Sequence, residues 1–285
     1  MCTIYLGDNY NDEKYGDTNS TLAGAITASK LNIPIIHIEA GLRSFNMKMP
    51  EEQNRILTDH VSSISFCPTK TALDNLKKEG ITKYVHNVGD VMCDAVIYYS
   101  QNLERQSVHY YIDRLNGIYE SRKDGMEKWF LATIHRAENT DKIEKIAQIL
   151  DALQELPYNV IFPVHPRIQG MVHQLKHDRE YSNIYFVRPM GYLDMLYFTK
   201  HAEKVITDSG GLQKETYILN TPYVTVRNQT EWLETLQGNH NILAKPIKED
   251  ILNCVLNTEI CNDQKFDYYG NGHAAEKICQ TIIDS

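Results

Sequence analysis

From Trp129 to Leu219 the chain alternates short apolar runs with stretches of helical spacing, and this alternation restricts the fold more than any other feature of the sequence. Trp129 to Ile134, Val160 to Val164, Ile184 to Val187, Val205 to Thr207 and Tyr223 to Val226 carry no polar alternation. Runs of that length and character suit strands covered on both faces. Between them lie helical patterns near Ile143 to Leu156, Ile168 to Leu175, Tyr192 to His201 and Leu212 to Leu219. Strands and helices alternating at this pitch imply a doubly wound parallel sheet. A shorter series precedes it, with strands expected at Ile33 to Ile38, Ile64 to Cys67 and Tyr84 to Val88. Its helices are expected to carry Leu22, Ala25 and Ile26 after an N-cap at Asp17 or Thr18, to present Ile56, Leu57, His60 and Val61 on one face after Pro50, and to run from a Thr69 cap to a stop at Gly80. Cys2 to Leu6 reads as a strand and polar Gly7 to Lys14 as a loop. The polar stretch Gln101 to Lys128 separates the two series, so domains are expected at 1–100 and 101–285, with the final helix, His273 to Ile283, packing back on the first.

Composition excludes several classes of partner. A net charge of -8 on 285 residues argues against a nucleic-acid surface or an anionic membrane surface, which select basic stripes. The six cysteines, Cys2, Cys67, Cys93, Cys254, Cys261 and Cys279, form no CxxC pair, which fits reduced thiols better than disulfides or a zinc site. No apolar run approaches membrane-spanning length, and Met1 to Asn11 lacks the pattern of a signal peptide. A soluble cytoplasmic protein is expected.

Chemistry-bearing residues gather at the ends of the apolar runs. Glu39 follows the Ile33 to Ile38 strand, and in open α/β sheets the crevice beyond the carboxyl ends of strands is where ligands bind. Glu51 and Glu52 open the next helix, where they also complement its dipole, and Asp17 precedes another helix as either a cap or a functional carboxylate. His135, followed by Arg136, ends the Trp129 strand, and His165 ends the next; each is either a structural histidine or an anion contact. Thr207-Asp208-Ser209-Gly210-Gly211 joins a strand to a helix. Glycines there let backbone approach a phosphate, the helix start supplies N–H donors, and Glu215 on the second turn could accept from a ribose. The late Gly270-Asn271-Gly272-His273-Ala274-Ala275 follows no strand and is discounted as a dinucleotide fingerprint.

Taken together, GDTNSTLAGA, HIEAGLRSFNMKMPEEQNR, FCPT, NVGD, TIHRAEN, PVHP, TDSGGLQKE and YGNGHAA, in that order, resemble the non-hydrolysing UDP-N-acetylglucosamine 2-epimerases. The resemblance implies an α/β, GT-B-like chain of two Rossmann-like doubly wound parallel-sheet domains, the first incomplete. It implies reversible C2 epimerisation of a UDP-2-acetamido sugar by UDP elimination and re-addition, for surface polysaccharide, with no cofactor and no metal. Asp17, Glu39 and Glu51 are then the carboxylates around the sugar, and His135 meets the diphosphate. Arg136, His165, Ser209, Gly210, Gly211 and Glu215 bind substrate, with Met190 and Met195 on the uracil side; core packing is the other reading of these methionines. The partners it implies are a UDP-sugar and a second copy in a homodimer, with no nucleic acid and no membrane.

The family's opening β-α units and basic first turn have no counterpart before Gly16, so an N-terminally truncated chain with unpaired strand edges is expected. Trp232 and Leu233 stand where the family often carries an arginine-proline pair, and Met195 replaces an aromatic of some relatives. With FNMKMPEE and GYLDM, the first of these points toward the branch acting on UDP-2,3-diacetamido-2,3-dideoxyglucuronate. Rival readings are a glycosyltransferase or hydrolysing epimerase of the same fold, and an inactive fragment that only binds UDP. A dehydrogenase is disfavoured because no glycine fingerprint follows an early strand.

Overall fold

The structure, a computed structural model, describes residues 3–6, 10–103, 110–111, 128–257 and 267–284, with side chains from Gly16 onward. Cys2, Cys261, residues 7–9 and most of the stretch between Gln101 and Lys128 lie outside the described residues. The chain divides into two compact units, Met1–Ala95 with Phe266–Ser285, and Val96–Lys265; the boundary falls within the Val91–Leu103 helix.

The first unit is built on strands β1 (Thr3–Leu6), β2 (Tyr10–Tyr15), β3 (Ile35–Ile38), β4 (Ile64–Cys67) and β5 (Val85–Asn87), in the order β2-β1-β3-β4-β5. β3, β4 and β5 pair in parallel, as their unalternating apolar sequences predict. β1 corrects the expectation of an unpaired edge beside β3: it lies antiparallel along β3, from Thr3 opposite Ile38 to Leu6 opposite Ile35. β2 corrects the expectation of a loop through Lys14, pairing antiparallel with β1. Strands separated by three residues have room for no parallel crossover, and an outermost strand can be polar because one side of it faces no core. The sheet is therefore mixed rather than wholly parallel.

The Pro50–Val61 helix departs from its expected apolar face. Leu57 and His60 are exposed, while Glu52, Asn54, Arg55, Thr58 and Asp59 are buried. Burying polar groups is costly unless they are paired: Glu52 and Asp59 bind the preceding loop and β3, and Asn54 and Arg55 bind the Asp17–Asn19 turn, while the Thr58 hydroxyl has no hydrogen-bond partner among the described residues. Thr18 occupies the N-cap position of the Asn19–Lys30 helix without a side-chain cap bond, whereas the Thr69 hydroxyl accepts from Ala72 N as expected. The last helix, Ala274–Ile283, packs within this unit, Ile278 joining Ile38, Phe66 and Val88. The Asp94 carboxylate caps it, accepting from Ala274 N at 3.0 Å and Ala275 N at 2.8 Å. The late glycine run is thus the entry to a capped helix.

Among the described residues the second unit holds strands β6 (Trp129–Thr133), β7 (Asn159–Pro163), β8 (Ile184–Val187), β9 (Lys204–Thr207), β10 (Tyr223–Val226) and β11 (Asn241–Ala244), in the order β11-β10-β9-β6-β7-β8. All the pairings are parallel. β11 and the following Lys248–Leu256 helix extend the series one step beyond the sequence reading. Phe130, Val160, Phe162, Ile206 and Val224 from the sheet pack with Ile146, Leu150 and Ile251 from the helices in one core. The chain moves from β6 outward through β7 to β8, then returns to the other side of β6 for β9. That reversal opens a crevice beyond the carboxyl ends of β6 and β9, the place where such sheets hold ligands.

Candidate active site

The Thr133 and Thr207 hydroxyls, 2.7 Å apart, tie the ends of β6 and β9 together. Immediately beyond, the buried Asp208 carboxylate accepts from His135 N at 3.0 Å, Arg136 N at 2.9 Å and Asn139 Nδ2 at 3.0 Å. One buried side chain on the β9 turn therefore fixes the β6 turn. Its carboxylate also lies 3.4 Å from His135 Nδ1. Burial, together with the charges of His165, Arg136 and Arg167, holds the His135 imidazole below its ordinary 6.5 despite Asp208, so the ring is neutral at pH 7. The His165 ring stacks on it with centroids 5.2 Å apart. His165 Nδ1 accepts from Arg167 N at 3.2 Å, which holds its ring in place.

Ser209 caps the Gly210–Ile218 helix, its hydroxyl accepting from Leu212 N at 3.4 Å. The first N–H groups of any helix have no partner within it, and the dipole adds positive potential there, which makes this turn an anion site. Gly210 leaves room for its neighbours: a Cβ there would stand 2.8 Å from Glu231 Oε1 and 3.2 Å from Arg136 Nη2, and those two side-chain ends would have to move aside. That carboxylate belongs to a cluster in which Arg227 bonds Glu231 at 2.8 Å and Glu138 at 3.0 Å. Trp232, beside it, is buried with Lys214 Nζ 4.4 Å from its ring centre.

A pocket of about 330 Å³ occupies the crevice, bringing together His135, His165, Met190, Met195, Ser209, Gly211 and Glu215. Arg136 and Gly210, also expected in the site, support its wall without lining it. Burial lifts the Glu215 carboxyl from 4.5 to about 7 against the opposing charge of Lys214. Tyr192 lines the same pocket; burial and the Glu215 charge push its phenol up to about 12.

The expected carboxylates lie in the first unit. Asp17 accepts from Arg55 Nη1 at 2.7 Å, and the same guanidinium donates to Glu52 Oε2 at 2.9 Å. Glu52 is fully buried and accepts from Ser44 N and Phe45 N, each at 2.8 Å. Burial raises its pKa, but those donors and Arg55 outweigh burial and hold it below 4.5. The acidic pair at the helix start is thus divided: Glu52 staples the preceding loop, and Glu51 stays half-buried. Glu39 is buried at the end of β3 with φ of +73°. Sequence reasoning left out Asp208, Arg55, Asp59 and Tyr192. Asp208 sits inside the quoted TDSGG run and Arg55 ends PEEQNR, so position within those motifs was the available signal.

Parallel strands in both units, a pocket at a switch point and a glycine-led helix start define Rossmann-like α/β units, and superposition on solved epimerase structures places the chain in the GT-B class. A family profile for UDP-N-acetylglucosamine 2-epimerase matches residues 14–283. A UDP-N-acetylglucosamine 2-epimerase homolog from Methanococcus maripaludis is 46% identical over 271 residues, covering 94% of this chain and 74% of its own length. The UDP-2,3-diacetamido-2,3-dideoxy-D-glucuronate 2-epimerase of Pseudomonas aeruginosa is 44% identical, covering 94% and 73%. The crystal structure of the Methanocaldococcus jannaschii UDP-GlcNAc 2-epimerase in complex with UDP-GlcNAc and UDP superposes with a TM-score of 0.80 at 38% identity, covering 95% of this chain and 74% of that one. The chain belongs to the UDP-N-acetylglucosamine 2-epimerase family, a family of isomerases, and spans about three quarters of the length of these relatives. Among the described residues no helix is long and apolar enough to cross a membrane.

Proposed function

We propose that this chain inverts C2 of a UDP-2-acetamido sugar reversibly, in the cytoplasm and as a homodimer, supplying a manno-configured sugar for surface polysaccharide. The observation that carries the reading is the pocket at the β6/β9 crevice, where Ser209, Gly211, Glu215, His135 and His165 meet at a helix start. In this reading the helix start and the His135–His165 pair take the diphosphate, Glu215 the ribose, and Met190 and Met195 the uracil side. Asp17, Glu39 and Glu51 handle the sugar. C2 has no neighbouring carbonyl to acidify its proton, so the C1–O bond to UDP must break with or before proton loss. The electron pair of that bond leaves on the diphosphate, a carboxylate takes the C2 proton, and a C1=C2 double bond forms. Negative charge close by stabilises the oxocarbenium-like state on the way. Protonation of the opposite face and return of the UDP oxygen to C1 give the epimer.

A second substrate, UDP-2,3-diacetamido-2,3-dideoxyglucuronate, is favoured by buried Trp232 at the position where the family often carries arginine, and a relative of that name is 44% identical. The test is proton NMR of each sugar with the protein in D2O. Loss of the C2 proton signal, with appearance of the epimer, is expected for at least one; retention of the signal in both sugars overturns the reading. Release of UDP without a reversible epimer pool would favour a hydrolase instead.

A further inference from the structure

Glu39 occupies a backbone region, φ of +73°, that non-glycine residues adopt at a cost of ~1–3 kcal/mol. Such a conformation persists only where the surroundings hold it. Both flanks of Glu39 are held by one side chain, Asp59, reaching in from the Pro50–Val61 helix. Two residues before Glu39, His37 Nδ1 lies 2.6 Å from Asp59 Oδ1. Two residues after it, Gly41 N donates to Asp59 Oδ2 at 3.2 Å. Arg43 Nη1 donates to that same oxygen at 2.7 Å and to Leu42 O at 2.7 Å.

The clamp is buried and closed on every side. Asp59 and His37 are almost wholly inaccessible to solvent, and the far edge of Arg43 is held by Glu79 through two bonds of 2.7 Å. Gly41 could carry no side chain, since a Cβ would stand 2.3 Å from Ala72 O at φ of +80°. Burial alone would drive the Asp59 carboxyl up, but His37 and Arg43 outweigh it and hold the group ionised. Removing such a carboxylate frees the backbone on each side of Glu39 at once.

We propose that Asp59 is a positioning residue for the C2 inversion: its carboxylate clamps the chain before and after Glu39 and so fixes the direction in which the Glu39 carboxylate points. The proposal rests on the reading of Glu39 as a carboxylate at the sugar. An ordinary structural ion pair would contribute to stability and leave the turnover of folded protein alone.

Rates of C2 deuterium exchange in the full chain separate the two. Asp59→Asn keeps the shape but removes the carboxylate charge opposite Arg43 and puts an N–H2 group in place of one of the two oxygens. It is expected to lower kcat about 100-fold, the scale of an ångström-sized misplacement of a reacting group, with KM changed less than about threefold. In a Glu39→Gln background the same substitution is expected to cost no more than about twofold further, because it acts through a group already removed. Full multiplication of the two losses, or an unchanged kcat in Asp59→Asn, overturns the proposal. Exchange at the wild-type rate in Glu39→Gln alone removes the Glu39 assignment, and this proposal with it. If Asp59→Asn does not fold, His37→Leu cuts one arm of the clamp and leaves the Arg43 bond in place; the same comparison in the Glu39→Gln background then decides, and multiplying losses again overturn the proposal.

Discussion

Glu215 offers the sharpest test of the pocket, because burial moves its carboxyl from 4.5 to about 7. At ~1.36 kcal/mol per pH unit the displacement is worth about 3 kcal/mol. The sign is set by the raised folded value: below 4.5 the group is protonated in both folded and unfolded protein, and nothing is lost. Between 4.5 and about 7 the folded form keeps its proton while the unfolded form releases it, so stability falls by ~1.36 kcal/mol per pH unit, and above about 7 the loss is complete. Glu215→Gln keeps the shape and cannot ionise, so it lacks this slope. Both tryptophans, Trp129 and Trp232, are buried in the second unit, so urea unfolding followed by tryptophan fluorescence reads that unit. Relative to the variant, the wild type should lose about 3 kcal/mol between pH 4.5 and 7.5. A difference that stays flat across this range would refute the account of Glu215 as a half-buried carboxyl with a raised pKa.

Two further outcomes follow from the same pocket. Gly210→Ala places a Cβ 2.8 Å from Glu231 Oε1; the Glu231 carboxylate must move aside, which should cost less than ~1.5 kcal/mol of stability but weaken UDP binding about tenfold by calorimetry. His135, held below 6.5 by burial, contributes stability that is present above 6.5 and lost as pH falls through the folded value. Its ring carbons should titrate below 6.5 in NMR of the free protein, and UDP should raise that midpoint with measurable proton uptake. A midpoint at or above 6.5 without ligand would contradict the account of a half-buried ring set among like charges.

Strands β6 to β10 were legible because a parallel strand covered on both faces has no polar positions, and Ile184–Val187 and Tyr223–Val226 were placed without error. β11, Asn241–Ala244, is no shorter than β8 or β10, but it opens on asparagine between polar Gln237 to His240 and Lys245, so its three apolar residues do not stand out. β2 reads as a loop because Tyr-Asn-Asp-Glu-Lys-Tyr has none of the composition of a buried strand. The pocket residues were legible for another reason: chemistry at strand ends requires particular side chains at fixed distances from an apolar run, and TDSGGLQKE, TIHR and PVHP state those distances outright.

The sequence by itself determined the parallel sheet of the second unit, the glycine-led helix start beyond β9 and the family to which the chain belongs, since each follows from residue types at short spacing. Tertiary structure alone decided that β1 covers the β3 edge in antiparallel register, that Arg55 holds Asp17, and that Asp59 grips both sides of Glu39. Those partners lie between 16 and 38 residues apart. Hydrogen bonds and ion pairs act over about three ångströms of space, and no local pattern records which distant groups the fold will bring within that reach.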